Sequence, residues 1–150
     1  KQDDKEAVKW YKKSAAQGNA VGQYNLGVMY RDGTGVKQDD KEAAKWLKKS
    51  AVQGNAEGQN NLAGMYVNGR GVAQDYKEAV KWYKKSAAQG YPKAQYILGL
   101  MYRYGLGVKQ NDKEAVKWLK KSAAQGNAEA HELLEVYKRK FRVISDDSLF

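Results

Sequence analysis

Tryptophan returns every 36 residues in this chain, at Trp10, Trp46, Trp82 and Trp118. Each stands in nearly the same phrase: KEAVKWYKKSAAQG, KEAAKWLKKSAVQG, KEAVKWYKKSAAQG and KEAVKWLKKSAAQG. The chain is therefore a tandem repeat. A period in this range means stacked supersecondary units, none of which buries its apolar face alone. The expected architecture is an elongated solenoid.

Local signals divide each period into two helices. Asp3-x-x-Glu6 has the form of a capping box, and it returns as Asp39/Glu42, Asp75/Glu78 and Asn111/Glu114. In such a box the first side chain accepts from an unpaired amide and the Glu reaches back to the cap. Gly18, Gly54, Gly90 and Gly126 supply the left-handed residue that closes a helix C-terminus. The spacing predicts helices near 5 to 17, 41 to 53, 77 to 89 and 113 to 125. A second pattern, AVGQYNLGVMYRD in its first copy, runs to a Gly-x-Gly turn and predicts partner helices over 20 to 32, 56 to 68 and 92 to 104. Pro92, the sole proline, falls in the first turn of its helix, where a missing N–H costs nothing.

The ends depart from the pattern. Lys1-Gln2-Asp3-Asp4 aligns with Lys37-Gln38-Asp39-Asp40, so the chain opens inside an inter-repeat loop and reads as a fragment whose first helix lacks its preceding partner. At the other end AEAHELLEVYKRKFRV forms a longer amphipathic pattern bearing Leu133, Leu134, Tyr137 and Phe141, expected to act as a terminal cap. The expected organisation is a solenoid over residues 1–143, of about four repeats, with a tail at 144–150.

Composition narrows the chemistry. The chain has 150 residues with 42% hydrophobic content, enough to bury a core, and no apolar run near the ~18 residues of a spanning helix. It has no Cys and one His, which removes disulfides, thiolate nucleophiles, Cys-ligated zinc and His clusters. With no candidate pair of nucleophile and base, a non-enzymatic role without cofactor or metal is expected.

The phrases AVGQYNLGVMYRDGTGV, AEGQNNLAGMYVNGRGV and PKAQYILGLMYRYGLGV, each followed by KEA-x-KW-x-KKSA-x-QG, resemble the Sel-one-like repeat (SLR) family, relatives of the tetratricopeptide repeat (TPR). The likeness covers residues 3 to about 137 in four in-register copies. It implies a right-handed α-solenoid of antiparallel helix pairs that binds other proteins as an adaptor or scaffold, in bacteria also as an effector-blocking or host-protein-binding protein. It also favours export, although the composition leaves the compartment open. Some members of the family carry a disulfide in each repeat; this Cys-free chain departs from them.

The copies can be compared with one another. With residues 20 to 32 placed at ~100° per residue, the positions that differ between copies (21, 24, 25, 28, 31 and 32) share one arc of roughly 120°. Ala20, Gln23, Leu26, Gly27, Met29 and Tyr30 hardly change among the copies and lie opposite. Stacking demands the same contacts in every unit, so the uniform arc is the packing face and the variable arc is free to meet a partner. In TPR-like proteins this helix lines the concave groove, and the resemblance places the arc there. The candidate groove residues are Val21, Tyr24, Val28, Arg31 and Asp32; Glu57, Asn60, Val67 and Asn68; Lys93, Tyr96, Leu100, Arg103 and Tyr104; and Glu132. Tyr and Arg dominate interface energies, so the third copy is the richest.

Three other features compete for a role. Lys5, Lys9, Lys12 and Lys13 lie within ~100° of one another on their helix and recur in every copy. Removing these 16 charges from the formal +10 leaves −6. Such a stripe could hold nucleic acid or an acidic polysaccharide, yet the face lacks stacking aromatics and any nucleic-acid motif, which argues for a solvated outer surface. The tryptophans border the apolar arc of Ala7, Val8, Tyr11 and Ala15 and are expected to pack between units. The Gly-x-Gly loops lack Walker spacing and read as turns, and His131-Glu132-x-x-Glu135 lacks a second His for a metal. The expected partner is a protein or peptide segment held by a monomeric module, with no insertion into a membrane.

Overall fold

The computed structural model describes residues 1–143 and 150; the predicted tail falls outside the described residues except for Phe150. Eight α-helices and no strand occur among the described residues: α1 (Gln2–Ala16), α2 (Ala20–Asp32), α3 (Asp40–Val52), α4 (Ala56–Asn68), α5 (Tyr76–Ala88), α6 (Pro92–Tyr104), α7 (Asp112–Ala124) and α8 (Ala128–Val143). Each helix packs chiefly on its neighbours in sequence, and the chain is an α-solenoid of antiparallel helix pairs. The junctions α2/α3, α4/α5 and α6/α7 are more extensive than the others.

The second helices fall where the sequence places them. Asn19, Asn55 and Asn127 cap α2, α4 and α8, each accepting from the amide three residues on at 2.7–2.9 Å. Tyr91 gives α6 no such bond, and Pro92 at the first helical position takes over the start. At the C-termini Gly33, Gly69 and Gly105 stand at φ +67, +62 and +65, a left-handed geometry that a side chain would strain.

The capping boxes form only by half. Asp39, Asp75 and Asn111 accept from the amides of Glu42, Glu78 and Glu114 at 3.0–3.1 Å. The amides of these caps donate instead to the carbonyls of Tyr30, Tyr66 and Tyr102 at 2.9–3.0 Å, so the glutamates have nothing to reach back to. The glutamates lie 3.6–4.0 Å from Lys45, Lys81 and Lys117. The first box does not form: α1 starts at Gln2, with Lys1 as cap and Asp3 in its first turn. In the first turn the Asp3 charge complements the positive end of the helix dipole.

The repeated seam joins three consecutive helices. Leu26, Leu62, Leu98, Leu47 and Leu119 are fully buried. Among them runs a polar staple. Ser50, Ser86 and Ser122 donate to the carbonyls of Ala20, Ala56 and Pro92 at 2.7–2.8 Å. Gln53, Gln89 and Gln125 donate both to the carbonyls of Gly18, Gly54 and Gly90 and to the side-chain oxygens of Gln23, Gln59 and Gln95, at 2.7–2.9 Å. Gln23, Gln59 and Gln95 then donate backwards to the carbonyls of Ala15, Ala51 and Ala87. Buried amides and hydroxyls need such partners, since each left unmet costs ~1–3 kcal/mol.

At α8 the apolar stripe Ala130, Leu134, Tyr137 and Phe141 closes over Ala115, Val116 and Leu119, with the rings of Tyr137 and Phe141 stacked at 5.7 Å. Leu133, placed by the sequence on the same stripe, is half-buried at its margin.

The four tryptophans are not equivalent. Trp46 packs on the cluster of Val8, Ala15 and Leu26, and Trp118 on the central cluster, each against the helices before it. Trp82 is 5% exposed and Trp10 is 64% exposed. Among the described residues α1 packs chiefly against α2, and the expected inter-unit packing is not seen at Trp10. Trp82→Ala is expected to cost ~3–5 kcal/mol and Trp10→Ala under ~1 kcal/mol, read as the difference in urea midpoints.

Candidate functional site

The variable positions fall on α2, α4, α6 and α8, and the structure shows how they meet across helices. Burial and then the charge of Glu57, on the next even-numbered helix, raise the pKa of Tyr24. The pKa of Tyr96 is raised likewise, first by burial and then by the charge of Glu129 on α8. Rows of side chains therefore run from helix to helix along one wall.

Two clefts open on this wall. The first, about 270 Å³, is lined by Arg31 and Asp32 at the end of α2, by Asn60, Gly64 and Asn68 along α4, and by Arg70 and Tyr83. Arg31 donates twice to Asp32, at 2.9 and 3.2 Å, and these bonds hold the Asp32 carboxyl below the usual carboxylate range. Arg70 donates to Asp40 at 2.8 and 3.3 Å and to the Arg31 carbonyl at 3.4 Å. Both guanidinium groups are thus neutralised locally.

The second cleft, about 280 Å³, lies two periods further along and uses equivalent positions: Arg103, Tyr104, Val136, Tyr137 and Lys140, with Gln110 and Asp112. Tyr104 replaces the acidic residue that follows Arg31, so Arg103 has an aromatic neighbour instead of a carboxylate. Its guanidinium lies 5.3 Å from the Tyr104 ring and 5.1 Å from the Tyr137 ring. Tyr137 donates its hydroxyl to Asp112 at 3.0 Å; burial first, then this bond, raises its pKa. Such stacking orients a cation while leaving its outward N–H groups free for a ligand.

The candidates differ in exposure. Val21, Asp32, Glu57, Asn68, Lys93, Tyr104 and Glu132 are exposed, while Tyr24, Val28, Arg31, Val67, Tyr96, Leu100 and Arg103 are half-buried. Asn60 is buried at 8% exposure, on the cleft floor. Arg31, Asp32, Asn60, Asn68, Arg103 and Tyr104 line the two clefts; Val21, Tyr24, Val28, Glu57, Val67, Lys93, Tyr96, Leu100 and Glu132 line neither, and Val67 and Tyr24 pack on the central cluster.

The set of candidates omits Arg70, Tyr83, Tyr137, Asp112 and Lys140, all of which line clefts. Two of these had a signal. Arg70 replaces Thr34 and Leu106 inside the Gly-x-Gly turn. Tyr83 shares its position with Tyr11, Leu47 and Leu119, and Ala63 stands where Gly27 and Gly99 stand, glycines whose added Cβ would come within 2.8–2.9 Å of Leu47 and Leu119. The Tyr83 hydroxyl then lies 3.6 Å from where a Cβ on Gly64 would stand.

On the opposite helices the lysines lie over the tryptophan rings. Lys45 and Lys49 stand 5.2 and 4.7 Å from the Trp46 ring, and Lys81 and Lys85 5.3 and 5.0 Å from Trp82. His131 is exposed, and no group of potential metal ligands occurs among the described residues. No helix among them is long and apolar enough to cross a membrane.

The Sel1 repeat profile matches residues 1–19, 20–55, 56–91 and 92–127. The chain belongs to the Sel1 repeat family. The profile frames each repeat as an even-numbered helix with the odd-numbered helix after it, which is the more extensive junction of the fold. Among solved structures, a Sel1 repeat protein from Oxalobacter formigenes is 38% identical with a TM-score of 0.78, over 85% of this chain and 96% of that one. A protective antigen present in uropathogenic Escherichia coli strains, with an SLR fold, is 45% identical with a TM-score of 0.80; the match spans 82% of this chain but 26% of that protein. Cysteine rich protein B of Helicobacter pylori is 26% identical with a TM-score of 0.70, over 87% and 94% of the two chains. A comparison with curated proteins returns no match.

Burial in the first cleft gives a measurable consequence. Desolvation raises the Tyr83 phenol to about 12, against about 10 in the unfolded chain. The neutral phenol is the form that folding favours, so its contribution is complete below pH ~10 and is lost as pH rises toward 12. Tyr83→Phe is expected to flatten the fall in unfolding free energy over that window by about 2–3 kcal/mol, measured by denaturant titration at several pH values.

Proposed function

We propose that the wall carried by α2, α4, α6 and α8 is the concave, partner-facing surface of a protein-binding module. Sel1 repeat proteins are generally protein-interaction modules on a non-catalytic scaffold. The observation that carries the reading for this chain is the pair of clefts two periods apart, built from equivalent positions with different linings: charge-paired and amide-rich at Arg31 and Asn60, aromatic and cationic at Arg103 and Tyr104. The seams hold the backbone alike at both places, so the difference lies in side chains that the packing does not dictate. A rigid wall with two unlike recesses favours an extended segment of another protein, because the scaffold's ordering cost is met before binding.

The second cleft supplies the anchors. Arg103 and Tyr104 combine an oriented guanidinium with a ring that is 61% exposed. The lysine stripe has a structural cause in its contacts with the tryptophan rings, and that cause lessens the case for a polyanion ligand.

Tyr104→Ala combined with Arg103→Ala is expected to weaken a bound partner by at least ~2 kcal/mol in calorimetric titration, with the thermal midpoint little changed because Tyr104 is exposed. Equal affinity of the double variant would remove the second cleft from the binding surface. Titration of duplex DNA or heparin at about 0.15 M salt is expected to give no sub-micromolar binding; tight binding with a steep salt slope would move the function to the lysine face.

A further inference from the structure

The two clefts differ in charge balance. In the first, Arg31 is matched by Asp32 at 2.9 Å and Arg70 by Asp40 at 2.8 Å. Arg103 and Lys140 line the second, and among the described residues neither has an ion-pair or hydrogen-bond partner. They lie instead against the rings of Tyr104, Tyr137 and Phe141. The carboxylate of that lining, Asp112, accepts from the Tyr137 hydroxyl at 3.0 Å and from the Gln110 amide at 2.9 Å. Glu135, on the same helix as Lys140, is taken by Lys138 at 3.2 Å. Two cations against one carboxylate leave the second lining with a formal excess of one positive charge.

The excess comes from two residues at one level of the solenoid. Tyr104 stands where Asp32 stands two periods earlier, and Lys140 stands where Asn68 stands. The first exchange removes the carboxylate that holds the equivalent arginine, and the second adds an ammonium. Packing dictates neither, since Tyr104 is 61% exposed and Lys140 is exposed as well. Two like charges on one small recess repel each other in the free protein, and an anion between them relieves that repulsion.

We propose that the second cleft receives the side-chain carboxylate of an Asp or Glu in the protein segment bound along the wall. The proposal rests on the partner-binding reading and adds the chemistry of one recess. Each group it uses lines the cavity. Arg103 and Lys140 supply the donors, while Val136, 39% exposed, and the Tyr104 ring offer apolar surface to the residue beside the acid. A carboxylate brings one negative charge, equal to the excess. A phosphoryl group brings about 1.5 to 2 near neutral pH, and Asp112 would face the surplus. A cationic side chain would enlarge the excess, and a carboxamide would leave it in place. A carboxylate also accepts two parallel N–H bonds from a guanidinium, and such charge-assisted bonds are roughly twice as strong as neutral ones.

The test is selection from a displayed random heptapeptide library on the full chain, followed by calorimetric titration of the selected peptides. They are expected to share one Asp or Glu beside an apolar residue, and exchanging that acid for Asn or Gln is expected to weaken them about tenfold or more. Exchange for phosphoserine is expected to weaken them too, and less so on Asp112→Asn, whose amide oxygen still accepts from Tyr137. Lys140→Gln changes an exposed side chain to another good helix former and is expected to fold as the natural chain does. It is expected to lose affinity for the acidic peptides while binding their Gln exchanges unchanged, which a damaged wall would not do. Peptides without a shared acid, or acidic peptides held equally by Lys140→Gln, would overturn the proposal; if Tyr104→Ala still weakens them, the second cleft stays part of the binding wall. Tighter binding of phosphoserine than of Glu would overturn it in favour of a phosphopeptide site. Binding unchanged by both Tyr104→Ala and Lys140→Gln would overturn the proposal and the place of this cleft in the wall together.

Discussion

Every α2/α3-type junction is closed by one set of groups: a serine hydroxyl on the first carbonyl of the preceding helix, and a glutamine that bridges a turn carbonyl and a second, buried glutamine. The bonds span 30 and 35 residues and repeat at each of the three junctions. Apolar packing around the buried leucines supplies non-directional attraction, whereas the staple requires one register and one angle. A shift of either helix would strand a buried amide or hydroxyl, so the seam fixes how each helix pair sits on the one before it. The wall of α2, α4, α6 and α8 inherits its geometry from that constraint.

The constraint also explains why variation on the wall is not always freedom. Gly64 differs from Val28 and Leu100, and the difference touches the seam through Tyr83, whose hydroxyl lies 3.6 Å from where a Cβ on Gly64 would stand. The packed seam and the first cleft therefore meet at one place. The buried Tyr83 and the half-buried Gly64 both line this recess, with the buried Asn60 on its floor.

Much of the fold was legible because its signals are local. Asparagine caps, Pro92 and the left-handed glycines act within a few residues of the helix ends they set, and the ranges of α2, α4 and α6 follow from them directly. The errors arose where a neighbouring helix intervenes. Asp3 looks like Asp39, yet only Asp39 has a carbonyl, that of Tyr30, to hold its amide. Trp10 looks like Trp82, yet one is exposed and the other buried. In the site, Arg31 and Arg103 were visible as variable positions, but nothing local distinguishes an arginine paired to Asp32 from one lying against Tyr104 and Tyr137.

The sequence alone determined the 36-residue period, the two helices within it, the face of each that packs, and the family to which the chain belongs. These are properties of spacing and of short-range hydrogen bonding, which act within a turn or two of helix. The tertiary structure decided which side chains meet between repeats: the two clefts, the contribution of Arg70 and Tyr83, and the unpaired oxygen of Asn60. Those depend on groups 30 or more residues apart, whose distance is set by the seams and not by the chain between them.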